Sequence, residues 1–221
     1  MKEKLLTTKN VVLMGMFGAL GAVLMLFEVP LPFIAPSFYG LDLAEVPVLV
    51  GTFALGPVTE EEREHYTLVL MSMLRLGHVK FLKGCSGLSL DYVARGPLWE
   101  RGLDYNHGTG HGVGYLLNVH ERPAGIRYKV VPERMDSAAF EPGMVCSDEP
   151  GLYIEGSHGI RTENLVFCKE AGKTSFGQFL CFEYLTFVPI DLEPVDLSLM
   201  EKQDLVWLNE YHAQVYEKIG P

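Results

Sequence analysis

His107-Gly-Thr-Gly-His111-Gly-Val-Gly114 is followed at ordered intervals by Val119-His120-Glu121, Asp148-Glu149-Pro150-Gly151 and Gly159-Ile160-Arg161-Thr162-Glu163-Asn164. Imidazole and carboxylate groups held in glycine-rich surroundings are the donors that a hydrolytic divalent-metal site needs. Glycines beside His111 let backbone approach such a site closely, because no side chain intervenes.

Outward from this stretch the sequence reads as an α+β domain. Thr59-x-x-Glu62 has the form of a capping box. The apolar residues Leu68, Leu70, Met71, Leu74 and Leu76 then mark one face of a helix running to about Phe81, ended by Gly84. Residues 86–95 read as a short helix stopped by Gly96-Pro97. Alternating apolar segments near 128–131, 144–146, 165–168 and 179–189 read as sheet strands. Residues 196–218 close the chain as a helix, with Leu199, Leu205, Trp207, Leu208 and Val215 as its expected buried residues.

Composition separates this region from what precedes it. The 221-residue chain is 48% hydrophobic and 21% charged, but residues 1–58 are almost wholly apolar, with Gly and Pro. Residues 11–27 form an uncharged run, close to the lower limit of the roughly 17–25 residues that span a bilayer as a helix. Gly15, Gly18, Ala19 and Ala22 give that run a small-residue face. Pro30, Pro32 and Pro36 interrupt any helix, and a second apolar run covers 43–58. A membrane helical hairpin contacting lipid through 11–58, a cleaved signal peptide and a core helix of a soluble domain are the competing readings. Two domains are therefore expected, 1–58 and 59–221.

The net charge of −10, without a basic stripe, excludes nucleic acid as a partner. Cys85, Cys146, Cys168 and Cys181 are scattered and form no C-x-x-C pair, which fits reduced thiols and a cytoplasmic setting for 59–221. His65, His78, His158 and His212 belong to no motif and are expected to be solvated, as is Asp148. Arg161 is expected to pair with a nearby carboxylate, and Glu183 to satisfy buried polar groups.

Residues 59–212 resemble the C-terminal catalytic portion of the Xaa-Pro aminopeptidases, proline-specific members of the pita-bread metallopeptidases. The resemblance rests on Pro97-Leu-Trp-Glu-Arg-Gly102, the His107–Gly114 cluster, Glu149-Pro-Gly151, Gly159-Ile-Arg-Thr-Glu-Asn164 and Phe182-Glu-Tyr-Leu-Thr186. It implies a partial pita-bread fold, an antiparallel sheet with covering helices, here preceded by the apolar helical hairpin. It also implies His111, Glu149 and Glu163 as metal ligands, with His107 and His120 as catalytic histidines that hold substrate. The implied cofactor is a divalent metal, manganese by the family's habit, with two ions in the family and at most one here. The implied substrate is a peptide with proline at its second position, from which the N-terminal residue is released.

Two aspartate ligands that precede these motifs in the family have no counterpart in residues 1–58, where Asp42 stands alone. A truncated, weakly active or inactive hydrolase is the expectation. A proline dipeptidase of the same fold and a non-catalytic fusion or membrane protein fragment are its rivals. Homo-oligomerisation stays open. Residues 1–58 in turn resemble the start of a riboflavin-binding ECF transporter S component, through Pro30-Leu-Pro-Phe-Ile34, Leu41-Asp-Leu-Ala-Glu-Val-Pro47 and Gly51-Thr-Phe-Ala-Leu-Gly-Pro57.

Overall fold

The computed structural model describes residues 58–116 and 118–220, together with the backbone of two short strands near the N-terminus. The chain divides into two compact units, Met1–Val58 and Thr59–Pro221. In the first, β1 (Val29–Pro30) pairs antiparallel with β2 (Gly40–Leu41). The apolar runs 11–27 and 43–57, and with them the membrane hairpin and the transporter resemblance, lie outside the described residues. Among the described residues no helix is long and apolar enough to cross a membrane.

The second unit opens with α1 (Glu60–Gly77). Its capping box is formed: Glu62 N–H donates to Thr59 Oγ1 at 3.2 Å, and Thr59 N–H donates to Glu62 Oε2 at 2.7 Å. Two of the orphan donors at the helix start are thereby satisfied. The helix stops at Gly77, earlier than the sequence suggests, because Phe81 belongs to a strand. β3 (Lys80–Leu82) pairs with β10 (Gly177–Tyr184), and Phe81 packs edgewise against Phe140 and tilted against Phe182. A Cβ at Gly77 would collide with the Tyr184 hydroxyl, so this glycine allows the helix end to lie on the sheet.

α2 (Gly87–Trp99) continues past the expected stop and contains Pro97. Proline gives up one helical hydrogen bond. Here Leu98, wholly buried, and Arg95, also buried, hold the last turn in place, and the chain reverses only at Gly102, whose φ is +71°.

The sheet runs β3-β10-β9-β6, all antiparallel, with β9 (Asn164–Thr174) and β6 (Val145–Asp148) completing it. The strand expected at 128–131 is absent. In its place β5 (Gly125–Ile126) pairs with β4 (Gly110–His111), and a 3-10 turn follows at Pro132–Arg134. Pro132 withdraws a ladder donor there, and Val130 is exposed, so the apolar alternation at 128–131 had no sheet face to fill. The last strand ends at Tyr184 rather than 189. β7 (Gly151–Tyr153) and β8 (Gly159–Arg161) form a separate hairpin.

α3 (Lys202–Ile219) begins six residues later than the sequence suggests. Asp196 is used instead to bond the Ser198 amide and hydroxyl in a turn, and Glu201 caps the helix with Asp204. Leu208 and Val215 are buried, while Leu199, Leu205 and Trp207 are half-buried. The main core lies between α1, α3 and one face of the sheet, around Leu70, Met73, Leu76, Val166, Leu180 and Tyr211. A smaller cluster of Leu68, Val69, Leu98, Tyr105 and Leu152 ties α1 and α2 to the β7–β8 hairpin.

Several solvation expectations are overturned. Asp148 is fully buried, because β6 directs it away from solvent into the interior. His65 is buried and bonded to His158. His78 stacks on Trp207 with centroids 5.1 Å apart, and His212 Nε2 accepts from the Ile190 amide at 3.2 Å. Glu183 is exposed and pairs with Lys169 across the β9–β10 ladder rather than serving buried polar groups. Alternation along β10 places it on the outer face between buried Phe182 and Tyr184.

Candidate metal centre

Helix α2 builds the platform for His107. Arg95 is wholly buried, so its charge must be paired. Its guanidinium meets Asp91 at 2.6 Å and Asp104 at 2.5 Å, and donates to the carbonyls of Tyr105 and His107 at 2.7 Å each. The same guanidinium lies 3.8 Å from the Tyr105 ring centroid. Thr109 Oγ1 donates to the other Asp91 oxygen at 2.6 Å. One helix side-chain pair therefore fixes both the start and the middle of the 105–109 loop.

His107 hangs from this loop with both ring nitrogens used. The Gly108 carbonyl, 2.8 Å from Nδ1, can only accept, so Nδ1 carries the proton. Nε2 then accepts from the Tyr153 hydroxyl at 3.0 Å, and that hydroxyl accepts in turn from Arg161 Nε at 3.0 Å. Burial of the ring lowers the His107 pKa. Its contact with Gly108 and the charge of Glu149 oppose the fall, while Arg161 and Arg95 add to it.

His111 stands on β4. A Cβ at Gly110 would strike the Ser147 carbonyl and one at Gly112 the Glu121 carbonyl, so these two glycines let β4 lie against β6 and the following loop. The His111 amide donates to Ser147 Oγ at 3.0 Å, and Ser147 donates to Glu149 Oε1 at 3.1 Å. His111 Nδ1 is 3.0 Å from the Gly112 carbonyl, which again places the proton on Nδ1. The bare Nε2 faces Glu149 Oε1 at 3.2 Å. Two acceptors at that distance need a proton or a cation between them.

Arg161 pairs with the other oxygen of Glu149 at 3.3 Å, as the sequence suggests. His120 is exposed, with its ring centroid 4.1 Å from that of His111. Partial burial raises the Glu163 pKa and Glu149 raises it further, against the opposing charges of Arg161 and His111. Thus His107, His111, His120, Glu149 and Arg161 line one cleft of about 400 Å³, and Glu163 lies within their field. Among the described residues, no three His, Cys, Asp or Glu side chains converge as a ready-made ion cage. The donor chemistry fits a hard divalent ion: one imidazole with its proton committed elsewhere, the Glu149 carboxylate, and Glu163, whose ionisation the Glu149 charge disfavours.

Sequence reading missed Tyr153 and Ser147. Each touches two site residues, but neither belongs to a residue class that spacing marks as a ligand. Asp148, adjacent to Glu149, has both carboxylate oxygens buried without a hydrogen-bond partner among the described residues. Its pKa stands well above the ordinary value, from burial and the neighbouring charges of Glu149 and Glu163.

The fold is of the pita-bread α+β type. The sequence pattern of Metallopeptidase family M24 matches residues 50–170, and that of the C-terminal region of peptidase M24 matches residues 178–221. The chain belongs to metallopeptidase family M24. It is 47% identical over 170 residues to the probable Xaa-Pro aminopeptidase P of Tuber melanosporum (strain Mel28), a stretch covering 76% of this chain and 27% of that protein. A probable Xaa-Pro aminopeptidase P of Fusarium vanettenii is 48% identical over the same length, again 76% of this chain and 27% of the relative. Among solved structures, the X-prolyl aminopeptidase from Caenorhabditis elegans, described as a cytosolic enzyme with a di-nuclear active site, superposes with a TM-score of 0.68 at 40% identity. That match covers 75% of this chain and 26% of the nematode chain. The chain thus spans about a quarter of the length of the relatives it matches.

Proposed function

We propose that this chain carries a peptide-hydrolase half-site for substrates with proline at the second position, with His111, Glu149 and Glu163 holding one divalent ion, manganese. The observation that carries the reading is the bare His111 Nε2 facing Glu149 Oε1 at 3.2 Å, braced by Ser147 on one side and Arg161 on the other. Membership of a metallopeptidase family and the likeness to Xaa-Pro aminopeptidases support it. Four unpaired cysteines favour a reducing, cytoplasmic setting.

An ion held there supplies Lewis acidity, polarising a peptide carbonyl and easing deprotonation of water. The protein's own residues do the rest. His107, kept neutral by burial, presents a fixed tautomer through the Tyr153 and Gly108 contacts. His120, exposed and set against His111, is placed to donate to an oxyanion that develops on the substrate. Arg161 balances the charge of Glu149. The reading supplies three candidate donors, which do not stand together as a ready-made cage among the described residues, so turnover by the isolated chain is expected to be slow.

Calorimetric titration of the full chain with manganese tests the reading. Binding of one ion per chain, abolished in His111→Ala, is expected, with weak release of the first residue from an Xaa-Pro-Xaa peptide. Absence of binding by a folded chain overturns it. Cleavage restricted to Xaa-Pro dipeptides would change the substrate assignment to the dipeptidase type.

A further inference from the structure

Outside the cleft, His65 on α1 meets His158 in the loop between β7 and β8. His65 Nδ1 and His158 Nε2 are 2.9 Å apart, while the ring centroids are 5.1 Å apart with planes tilted by 34°. So large a centroid separation at so short a contact sets the rings nearly end to end. The nitrogens therefore point at each other as donor and acceptor, rather than together at a third point as two ligands of one ion would. The far nitrogen of His158, Nδ1, is 2.9 Å from Ser157 Oγ. His65 is only 6% exposed, which leaves little water to replace a lost partner.

We infer that His65 and His158 form a proton-sharing latch that positions the β7–β8 hairpin, and with it Tyr153 and Arg161, against α1. The hairpin needs such a tie. It has three residue pairs, and among the described residues it joins no other strand. Its loop is closed by Ile154 N–H to the His158 carbonyl at 2.8 Å and by Ser157 N–H to the Ile154 carbonyl at 3.0 Å. Beyond the latch, apolar contacts of Leu152 and Ile160 with the α1–α2 cluster hold it. Yet its two strands deliver the Tyr153 hydroxyl to His107 and the Arg161 guanidinium to Glu149.

A single proton suffices for the latch, since a neutral imidazole offers one donor and one acceptor. A second proton converts the acceptor into a donor and places two cations 2.9 Å apart. Around the pair stand three carboxylates of α1. Glu61, Glu62 and Glu64 favour protonation of His65, whereas burial first and His158 second disfavour it more strongly, leaving His65 below the usual imidazole range. Glu62 is committed to the Thr59 cap and Glu64 to Arg101 at 2.7 Å, so neither is free to chelate the imidazolium. With the folded pKa depressed, the contribution is complete above the ordinary value of 6.5 and is lost as pH falls from there through the lower folded value. Acid therefore opens the latch. The consequence for the cleft rests on the reading of that cleft proposed above; the latch itself does not.

Native-state amide hydrogen exchange on the full chain, without metal or substrate, tests this. Protection factors of the Leu152, Ile154, Ile160 and Thr162 amides, taken relative to those of Val166 and Cys168 in the central sheet, are compared between pH 8 and pH 5.5. We expect relative protection of the hairpin to fall about tenfold on acidification in the wild-type protein. In His158→Gln it should start lower and be flat across the same range. A flat wild-type profile, or an unchanged acid response in His158→Gln, overturns the inference. Should the variant not fold, nitrogen-15 titration of the wild-type rings decides: coupled titration of His65 and His158 supports the latch, and two independent titrations overturn it. Failure of manganese binding would leave this result untouched.

Discussion

The Tyr153 hydroxyl lies 3.0 Å from His107 Nε2 and takes a hydrogen bond from Arg161 Nε at the same distance. One phenol oxygen thus joins the β7–β8 hairpin to the 105–109 loop, in a run of donors that ends at the Gly108 carbonyl. Such a run polarises along its length and selects one tautomer of the imidazole. Tyr153→Phe keeps the ring and removes the oxygen. Nitrogen-15 spectra should show the His107 Nε2 resonance shifting as it loses its donor while Nδ1 keeps its proton against Gly108, and Xaa-Pro hydrolysis should drop by about 10- to 100-fold, with manganese affinity unchanged. An unaltered His107 spectrum would remove Tyr153 from the site.

Arg95 is the second point where stability and site geometry meet. Its wholly buried guanidinium neutralises Asp91 and holds the Tyr105 and His107 carbonyls. Arg95→Met fills much of the same space but leaves Asp91 buried without its cation. Removing one partner of a buried pair costs about 3–5 kcal/mol. Chemical denaturation should show a loss of that order. Arg95→Met/Asp91→Leu should recover part of it, since the uncompensated charge is then gone. No recovery in the double variant would place the cost in packing instead.

Asp148 has the opposite character. Its carboxylate is buried and unpartnered among the described residues, so ionisation is costly there. A carboxyl whose folded pKa lies above its unfolded value binds more protons when folded, and stability is lost as pH rises above the ordinary carboxylate range. Asp148→Asn removes the buried charge while keeping the shape, and should therefore stabilise the protein at pH 8. The gain should shrink towards pH 5. Equal melting temperatures for the two proteins at pH 8 would show that Asp148 has a partner in solution.

The sequence made the helices and the central strands legible where local chemistry and burial agreed. Thr59 and Glu62 announced the start of α1, the apolar runs at 144–146 and 165–168 fell on β6 and β9, and the run at 179–189 overlapped β10 as far as Tyr184. It misled where tertiary contacts overrode a local signal. Pro97 was accommodated inside α2 because Arg95 and Leu98 were buried around it, and Phe81 was drawn from the helix pattern into an edge strand. At the cleft, ordered spacing marked His107, His111, His120 and Glu149, which the fold brings together, while Glu163 enters through its electrostatic coupling. Spacing carries no sign of Tyr153 or Ser147, since a hydroxyl becomes a positioning group only through what lies beside it in three dimensions. The His65–His158 contact joins residues 93 positions apart and left no local trace.

Ser147 tests whether the His111–Glu149 arrangement is held from outside. Its Oγ accepts from the His111 amide at 3.0 Å and donates to Glu149 Oε1 at 3.1 Å, so one hydroxyl sets the position of both donors. It is wholly buried, and β6 aims it at the same face as Glu149, two residues on. Ser147→Ala removes the link without adding bulk. Groups that orient metal ligands typically affect affinity by about 10–100-fold, whereas loss of a neutral hydrogen bond costs the fold about 1 kcal/mol. Manganese titration of Ser147→Ala should therefore show affinity weakened by at least about tenfold, with the one-ion stoichiometry kept and only a small fall in denaturation midpoint. His111→Ala, which deletes a donor, should abolish binding. If Ser147→Ala binds manganese as tightly as the wild-type protein, Glu149 does not need its serine partner to reach the ion, and the Arg161 contact alone orients it.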